Sequence, residues 1–129
     1  MLHCSTIDSV AEKDERGRAG ERRAAEHLRG QGYEILARNW RCPLGELDIV
    51  AASDRHLVVV EVKTRRSDRF GHPFEAVDAR KRTRLWQLAR AWRREHPEHA
   101  HGRDLRLDAI GVLGDDPATG SVEHLEDLR

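Results

Sequence analysis

Two short runs, Gly45-Glu46-Leu47-Asp48-Ile49-Val50 and Val58-Val59-Val60-Glu61-Val62-Lys63, carry three acids and a lysine on segments with the look of paired strands. Alternate residues of a strand share a face, so Asp48 is expected on the side of Glu46, and Glu61 on the side of Lys63. Leu47 and Ile49, with Val58, Val60 and Val62, are assigned to the other face. A four-residue turn from Ser53 to His56 would set position 48 opposite 61 and position 46 opposite 63. Directly opposed Cβ atoms sit roughly 4.5–5.5 Å apart, where two like charges repel unless something positive lies between them. A divalent cation would serve, and two carboxylates around such a cation beside a lysine is a donor set suited to phosphodiester hydrolysis. The plainer alternative is a pair of surface salt bridges across a hairpin, Glu46 with Lys63 being the natural one. An odd change in turn length would flip one strand and separate the acids.

The elements that must hold these residues can be read from hydrophobic period and punctuation. Glu15 to Arg29 reads as a helix, with Glu21, Ala24, Ala25 and Leu28 on one face. Glu21 is thus an acid on an apolar stripe, and a buried carboxylate is costly enough that it should face a cation, either a metal or a partner such as Lys81. Tyr33 to Trp40 reads as a first strand, Arg41 to Gly45 as a turn, and Glu46–Ala51 and Leu57–Lys63 as the next two strands. After a polar loop from Thr64 to Pro73, Asp78 is a good N-cap for a helix running to about Glu95, with Lys81, Leu85, Leu88, Ala89 and Trp92 as its stripe. Pro97 ends it, His96 to Asp104 reads as a loop, Leu105 to Leu113 as a strand, and Val122 to Leu125 as a short edge strand. Three meandering strands and a crossover through the second helix give an α/β fold, a mixed β-sheet flanked by helices.

At 129 residues the chain suits one domain. That domain is expected over residues 15–129, preceded by a loose tail over 1–14, where no period is sustained. The formal net charge is zero, but its distribution is uneven. From Lys63 to Arg94 eleven Lys/Arg face Asp68, Glu75 and Asp78, a local balance of +8, whereas Asp104 to Arg129 carries −5. A basic centre beside an acidic pocket suits a protein that holds a polyanion's backbone, although a solvated arginine-rich helix face has the same composition. Cys4 and Cys42 have no paired spacing, and no signal-like segment precedes them, so a cytoplasmic setting is expected. No run approaches the roughly 20 apolar residues of a membrane span.

The run Ala19-Gly20-Glu21, Gly32-Tyr33, Arg38-Asn39-Trp40, Gly45-Glu46-Leu47-Asp48, Val60-Glu61-Val62-Lys63-Thr64-Arg65, Phe70-Gly71, Ala76-Val77, Lys81 and Leu107-Asp108 resembles the YraN-like family of uncharacterised bacterial proteins. Through its order of Glu, then Asp, then Glu-x-Lys, that family is similar to the restriction-endonuclease-like superfamily, and especially to archaeal Holliday-junction resolvases. The resemblance implies a core order αβββαβ and a metal-dependent endonuclease acting on DNA, including branched DNA. Glu21, Asp48, Glu61 and Lys63 match the catalytic pattern position by position. Asp48 and Glu61 are then the expected ligands of magnesium, with manganese as a substitute, because magnesium takes few carboxylates and keeps several waters. Lys63 would orient the attacking water or offset charge on the phosphate. Lys81, Arg65, Arg66 and Arg69 are expected to contact phosphates of nucleic acid, which position a duplex without reading its sequence. Resolvase resemblance also implies a two-fold homodimer, since a junction has two strands to cut. The alternatives are a nucleic-acid-binding protein that does not cut and an interaction subunit of a DNA-processing complex.

Other conspicuous residues are assigned duller roles. His96, His99 and His101 lack a fourth ligand and read as a polar loop. Trp92 reads as core, while Trp86 is left open as surface, interface anchor or base-stacking ring. Asp108 reads as structural.

Overall fold

The computed structural model describes residues 15–69 and 71–129, together with the backbone of Ser5 and Thr6. Apart from those two residues, the tail expected over 1–14 lies outside the described residues, as does Phe70. The elements run β1 (Ser5–Thr6), α1 (Glu15–Gly30), β2 (Glu34–Cys42), β3 (Gly45–Ala52), β4 (His56–Arg65), α2 (Ala79–Glu95), α3 (Pro97–Ala100), β5 (Asp104–Leu113) and β6 (Ser121–Leu125). From α1 to β5, with the single turn α3 added after α2, this is the αβββαβ order, a mixed sheet between helices, consistent with the restriction-endonuclease-like fold. Among the described residues no helix is long and apolar enough to cross a membrane.

The six strands lie in sequence order across one sheet. All neighbours are antiparallel except β4 and β5, whose parallel ladder from His56↔Asp104 to Arg65↔Leu113 requires the crossover that α2 supplies. One layer packs α1, through Ala24, Ala25 and Leu28, against Ile49, Val58, Val60, Val62 and Ile110. The other packs α2, through Leu85, Leu88, Ala89 and Trp92, against Trp40, Leu47, Val50, Val59 and Leu107. With helices on both faces β4 is buried from Leu57 to Val62, hence its nearly unbroken valine run.

Two of the differences from the expected boundaries change a turn or a loop. β2 runs through Cys42, which pairs with Gly45 and leaves only Pro43 and Leu44 as the turn. Pro97 does not open a structureless loop but starts the single turn α3, as its fixed φ allows at a first helical position. His96 stacks on Trp92 with ring centroids 4.0 Å apart, and Trp92 is in the core as expected. Trp86 is half-buried and donates from Nε1 to the Leu128 carbonyl at 3.2 Å, so it anchors the C-terminal residues.

Leu47 is a correction. It does not share a face with Ile49 but packs in the α2 layer with Trp40. Trp40 pairs with Leu47 and Arg38 with Ile49, which brackets Asn39 and Asp48 between them, and Asn39 has φ 54°. A residue in the left-handed region interrupts the pleat, so the strand changes faces there; Asn is among the few side chains that tolerate it. Asp48 therefore sits at the twist of the β2–β3 ribbon.

Candidate metal and nucleic-acid site

The β3–β4 ladder has the expected register, with Ala52↔Leu57, Ala51↔Val58, Val50↔Val59 and Ile49↔Val60, closed by a turn in which Ser53 N donates to His56 O at 2.9 Å. Continued by one pair, that register sets Asp48 against Glu61. The ladder stops before it. β3 goes on along β2 while β4 goes on along β5, and the two strands fork. At the fork Asp48 Oδ2 accepts from Val62 N at 2.8 Å, so its carboxylate takes the place of the next ladder carbonyl. The fork also overturns the expected pairing of position 46 with 63. Glu46 instead meets Arg41, its partner across β2–β3, at 3.2 Å.

A cavity of about 520 Å³ opens at this fork, and Glu21, Asp48, Glu61 and Lys63 all line it. Glu21 reaches it from α1, which can approach because residue 20 is glycine: a Cβ there would collide with the Thr64 hydroxyl at the end of β4. The acid on the apolar stripe is buried as expected, with 4% of its surface exposed. Lys81 comes from the first turn of α2, fixed by the Asp78 cap that accepts from Lys81 N at 2.9 Å. Its Nζ lies 3.1 Å from Glu61 Oε2. The ion partner of Lys81 is thus Glu61, where the sequence offered Glu21 as an alternative to a metal.

Glu61 is the unusual group. Burial, the Asp48 charge and a hydrogen bond shared with the Asp48 carboxyl together push it up to about 8, and Lys81 and Lys63 offset this only in part. Two acids so close in a corner shielded from water cannot both ionise at neutral pH without added positive charge. Among the described residues no group of three or more His, Cys, Asp or Glu is arranged to hold a metal. A pair of carboxylates does fit magnesium or manganese, which complete their shells with water and substrate oxygens.

A pH dependence follows. Between its ordinary value of 4.5 and its folded value near 8, Glu61 holds its proton in the fold and loses it in the unfolded chain. The folded state then binds more protons, so this group makes the metal-free protein less stable as pH rises through that window. Melts in chelator at pH 5 and pH 8 should show Tm falling more steeply for the wild type than for Glu61→Gln. Equal slopes would mean that Glu61 ionises normally.

Of the expected phosphate contacts, Arg65 lines the cavity, while Arg66 and Arg69 line a neighbouring hollow of about 440 Å³ that Arg65 also borders. Sequence reasoning missed Arg16 and Arg84, which line the main cavity. Arg84 lies three residues beyond Lys81 on the same helix, a spacing that could have revealed it. Arg16 had no local signal: its guanidinium donates to the carbonyls of Asp115 at 2.6 Å and Gly114 at 3.1 Å, tying α1 to the turn after β5.

Asp108 is structural, as expected. It is wholly buried under Arg106, which reaches its two oxygens at 2.9 Å each, with His124 at 2.8 Å and the Asp127 amide at 3.0 Å.

A model of the uncharacterised protein family UPF0102 matches residues 20–112. The chain is 50% identical over 113 residues to a UPF0102 protein of Paenarthrobacter aurescens (strain TC1), covering 88% of this chain and 92% of that one. It is 50% identical over 113 residues to a UPF0102 protein of Beutenbergia cavernae, covering 88% and 94%. A UPF0102 protein of Renibacterium salmoninarum is 45% identical over 119 residues, covering 90% and 97%. With the match spanning α1 through β5 and every residue of the Glu, Asp, Glu-x-Lys set, the chain belongs to the UPF0102 family, whose members are YraN-like.

Proposed function

We propose that the protein is a cytoplasmic magnesium-dependent endonuclease acting on DNA, including branched or otherwise structured duplex. The observation that carries this reading is the apposition of Asp48 and Glu61 in a buried fork, where burial and the Asp48 charge push the Glu61 carboxyl up and nearby lysines offset this only in part. A pure binding protein has no physical need for such a pair next to a cationic rim. Asp48 and Glu61 would hold magnesium or manganese, with Glu21 on the same cavity wall acting through water. When bound, the ion supplies Lewis-acid polarisation of the phosphoryl oxygen and an acidified water. Lys63, on the cavity wall one pleat beyond Glu61, would offset charge building on the phosphate in the transition state. Lys81, Arg65 and Arg84 at the cavity, with Arg66 and Arg69 alongside, would hold backbone phosphates on either side of the reacting one, giving affinity without sequence preference.

The rival reading is a nucleic-acid-binding protein, or an interaction subunit of a DNA-processing complex, in which Lys81 permanently neutralises Glu61. Purified protein incubated with duplex, single-stranded, flap and four-way DNA, and with RNA counterparts, separates the two. Under the endonuclease reading cutting requires magnesium or manganese, stops in chelator and is absent in Asp48→Ala. Tight binding with no cutting in either metal would favour the rival.

A further inference from the structure

The endonuclease reading leaves open what occupies the cation position before a metal arrives, and the Lys81–Glu61 pair supplies an answer. Lys81 is placed by two constraints. The Asp78 cap fixes the first turn of α2, and Leu85, four residues on, is locked in the core with Leu88 and Trp92. The side chain is thereby hung over Glu61, Nζ to Oε2 at 3.1 Å. The two partners differ in freedom: the Glu61 side chain is 8% exposed and the Lys81 side chain 38%. Glu61 cannot leave the fork, whereas a lysine on a flexible four-carbon stem can turn its ammonium into the open cavity.

We propose that Lys81 is the resident counter-ion of this pocket, displaced from Glu61 by the divalent cation and thereby released to bind a phosphate of the incoming nucleic acid. This rests on the reading of Asp48 and Glu61 as metal ligands. An ammonium and a divalent ion compete for the same carboxylate, so the free protein binds metal more weakly than its carboxylates alone would. Once metal is in place, the ammonium is unpartnered at the cavity mouth, where an anion satisfies it. Metal and nucleic acid then bind with positive coupling, and by linkage each raises the affinity of the other by the same factor. Lys81 is a positioning residue here, since it acts through Glu61 in one state and through a backbone phosphate in the other.

The two roles have opposite signs in one variant. Without nucleic acid, magnesium titrated calorimetrically into Lys81→Gln should bind about twofold to fivefold more tightly than into wild type, the range expected for loss of a partly exposed ion pair. Lys81→Arg keeps the charge and should bind magnesium like wild type. A labelled duplex, measured by anisotropy in calcium to prevent cutting, should bind Lys81→Gln more weakly. In wild-type protein the chain's lysines are Lys13, Lys63 and Lys81, so site-resolved acylation by mass spectrometry can follow the ammonium directly. Magnesium should raise the Lys81 rate several-fold relative to Lys13, and Asp48→Asn should remove that rise. If magnesium binds wild type but Lys81→Gln binds it no more tightly, or Lys81 acylation does not change, the exchange is wrong and the metal site stands. If wild type binds no magnesium at all, the metal site and the exchange fall together. The acylation readout decides even if the variant folds poorly.

Discussion

In Asp48→Asn, magnesium will no longer raise Tm, metal-dependent cleavage will fall by at least about 100-fold, and Tm in chelator will equal or exceed that of wild type. The three effects share one cause. Asparagine keeps a side-chain oxygen that can accept from Val62 N, the bond that holds position 48 at the fork. What it removes is the charge pressed against Glu61, which in the metal-free protein raises the cost of ionising that group. The apo fold therefore sheds that cost and keeps the bond from Val62 N. Wild type should gain stability from magnesium by mass action, about 2.7 kcal/mol when the free ion is at 100 times its Kd. The mutant has surrendered half of the carboxylate pair and should gain little. If Asp48 were instead an ordinary structural acceptor, the substitution would lower Tm and leave the magnesium shift as it was. Paired melts with and without magnesium are therefore enough, and equal shifts in the two proteins would remove Asp48 from the ligand set.

The apposition of Asp48 with Glu61 was legible in the sequence because its determinants are local. Strand parity and a four-residue turn fix which residues face one another, and the ladder from Ala52↔Leu57 to Ile49↔Val60 has that register. Both helices were legible for the same reason, since the burial of Ala24, Ala25 and Leu28, and of Leu85, Leu88, Ala89 and Trp92, follows the 3.6-residue period. What failed was the extrapolation of local rules past a break in them. Leu47 left its expected face because the strand turns over at Asn39, and only the residue type, an asparagine between Arg38 and Trp40, hinted at a left-handed position. Glu46 found Arg41 rather than Lys63 because β3 parts from β4 just where that pairing would have formed. The fork itself makes the cavity, so the feature that defeated the simple hairpin picture is the one that gives the acids room for a ligand.

Interactions between distant segments were not legible at all. The Lys81–Glu61 pair joins a helix to a strand twenty residues earlier, and each residue has several plausible partners in a chain with 23 basic and 23 acidic side chains. Composition at that density says that ion pairs exist but not which. The Asp108 cluster was still less accessible, since its members come from β5, β6, α1, the start of β2's approach and the C-terminal residues, with no shared spacing. Arg106 Nη2 donates to Tyr33 Oη at 2.6 Å as well as to Asp108, and His124 Nδ1 lies 3.2 Å from His27 Nε2.

That cluster is where a single substitution should damage the fold most. Burial alone would push Asp108 up, but hydrogen bonds from His124, Arg106 and the Asp127 amide outweigh it and hold the carboxyl below its ordinary range. A depressed carboxyl stabilises the fold above its unfolded value, and that stabilisation is lost as pH falls through the folded one. Asp108→Leu would leave Arg106, His124 and the Asp127 amide facing an apolar group, with the Arg106 side chain only 12% exposed. Removing one partner of a buried pair costs about 3–5 kcal/mol, a large part of the roughly 5–15 kcal/mol that holds a domain together, and Tm should fall by about 10–20 °C. Arg106→Met in the same background should recover part of the loss, because an apolar pair leaves no uncompensated charge. The cluster lies on the α1 face of β5 and contributes no residue to the lining of the cavity, so any of these variants that folds should keep a wild-type magnesium shift. A drop of less than about 1 kcal/mol in Asp108→Leu would show that water replaces the carboxylate at low cost and that the cluster is not what locks β6 and the C-terminus onto the sheet.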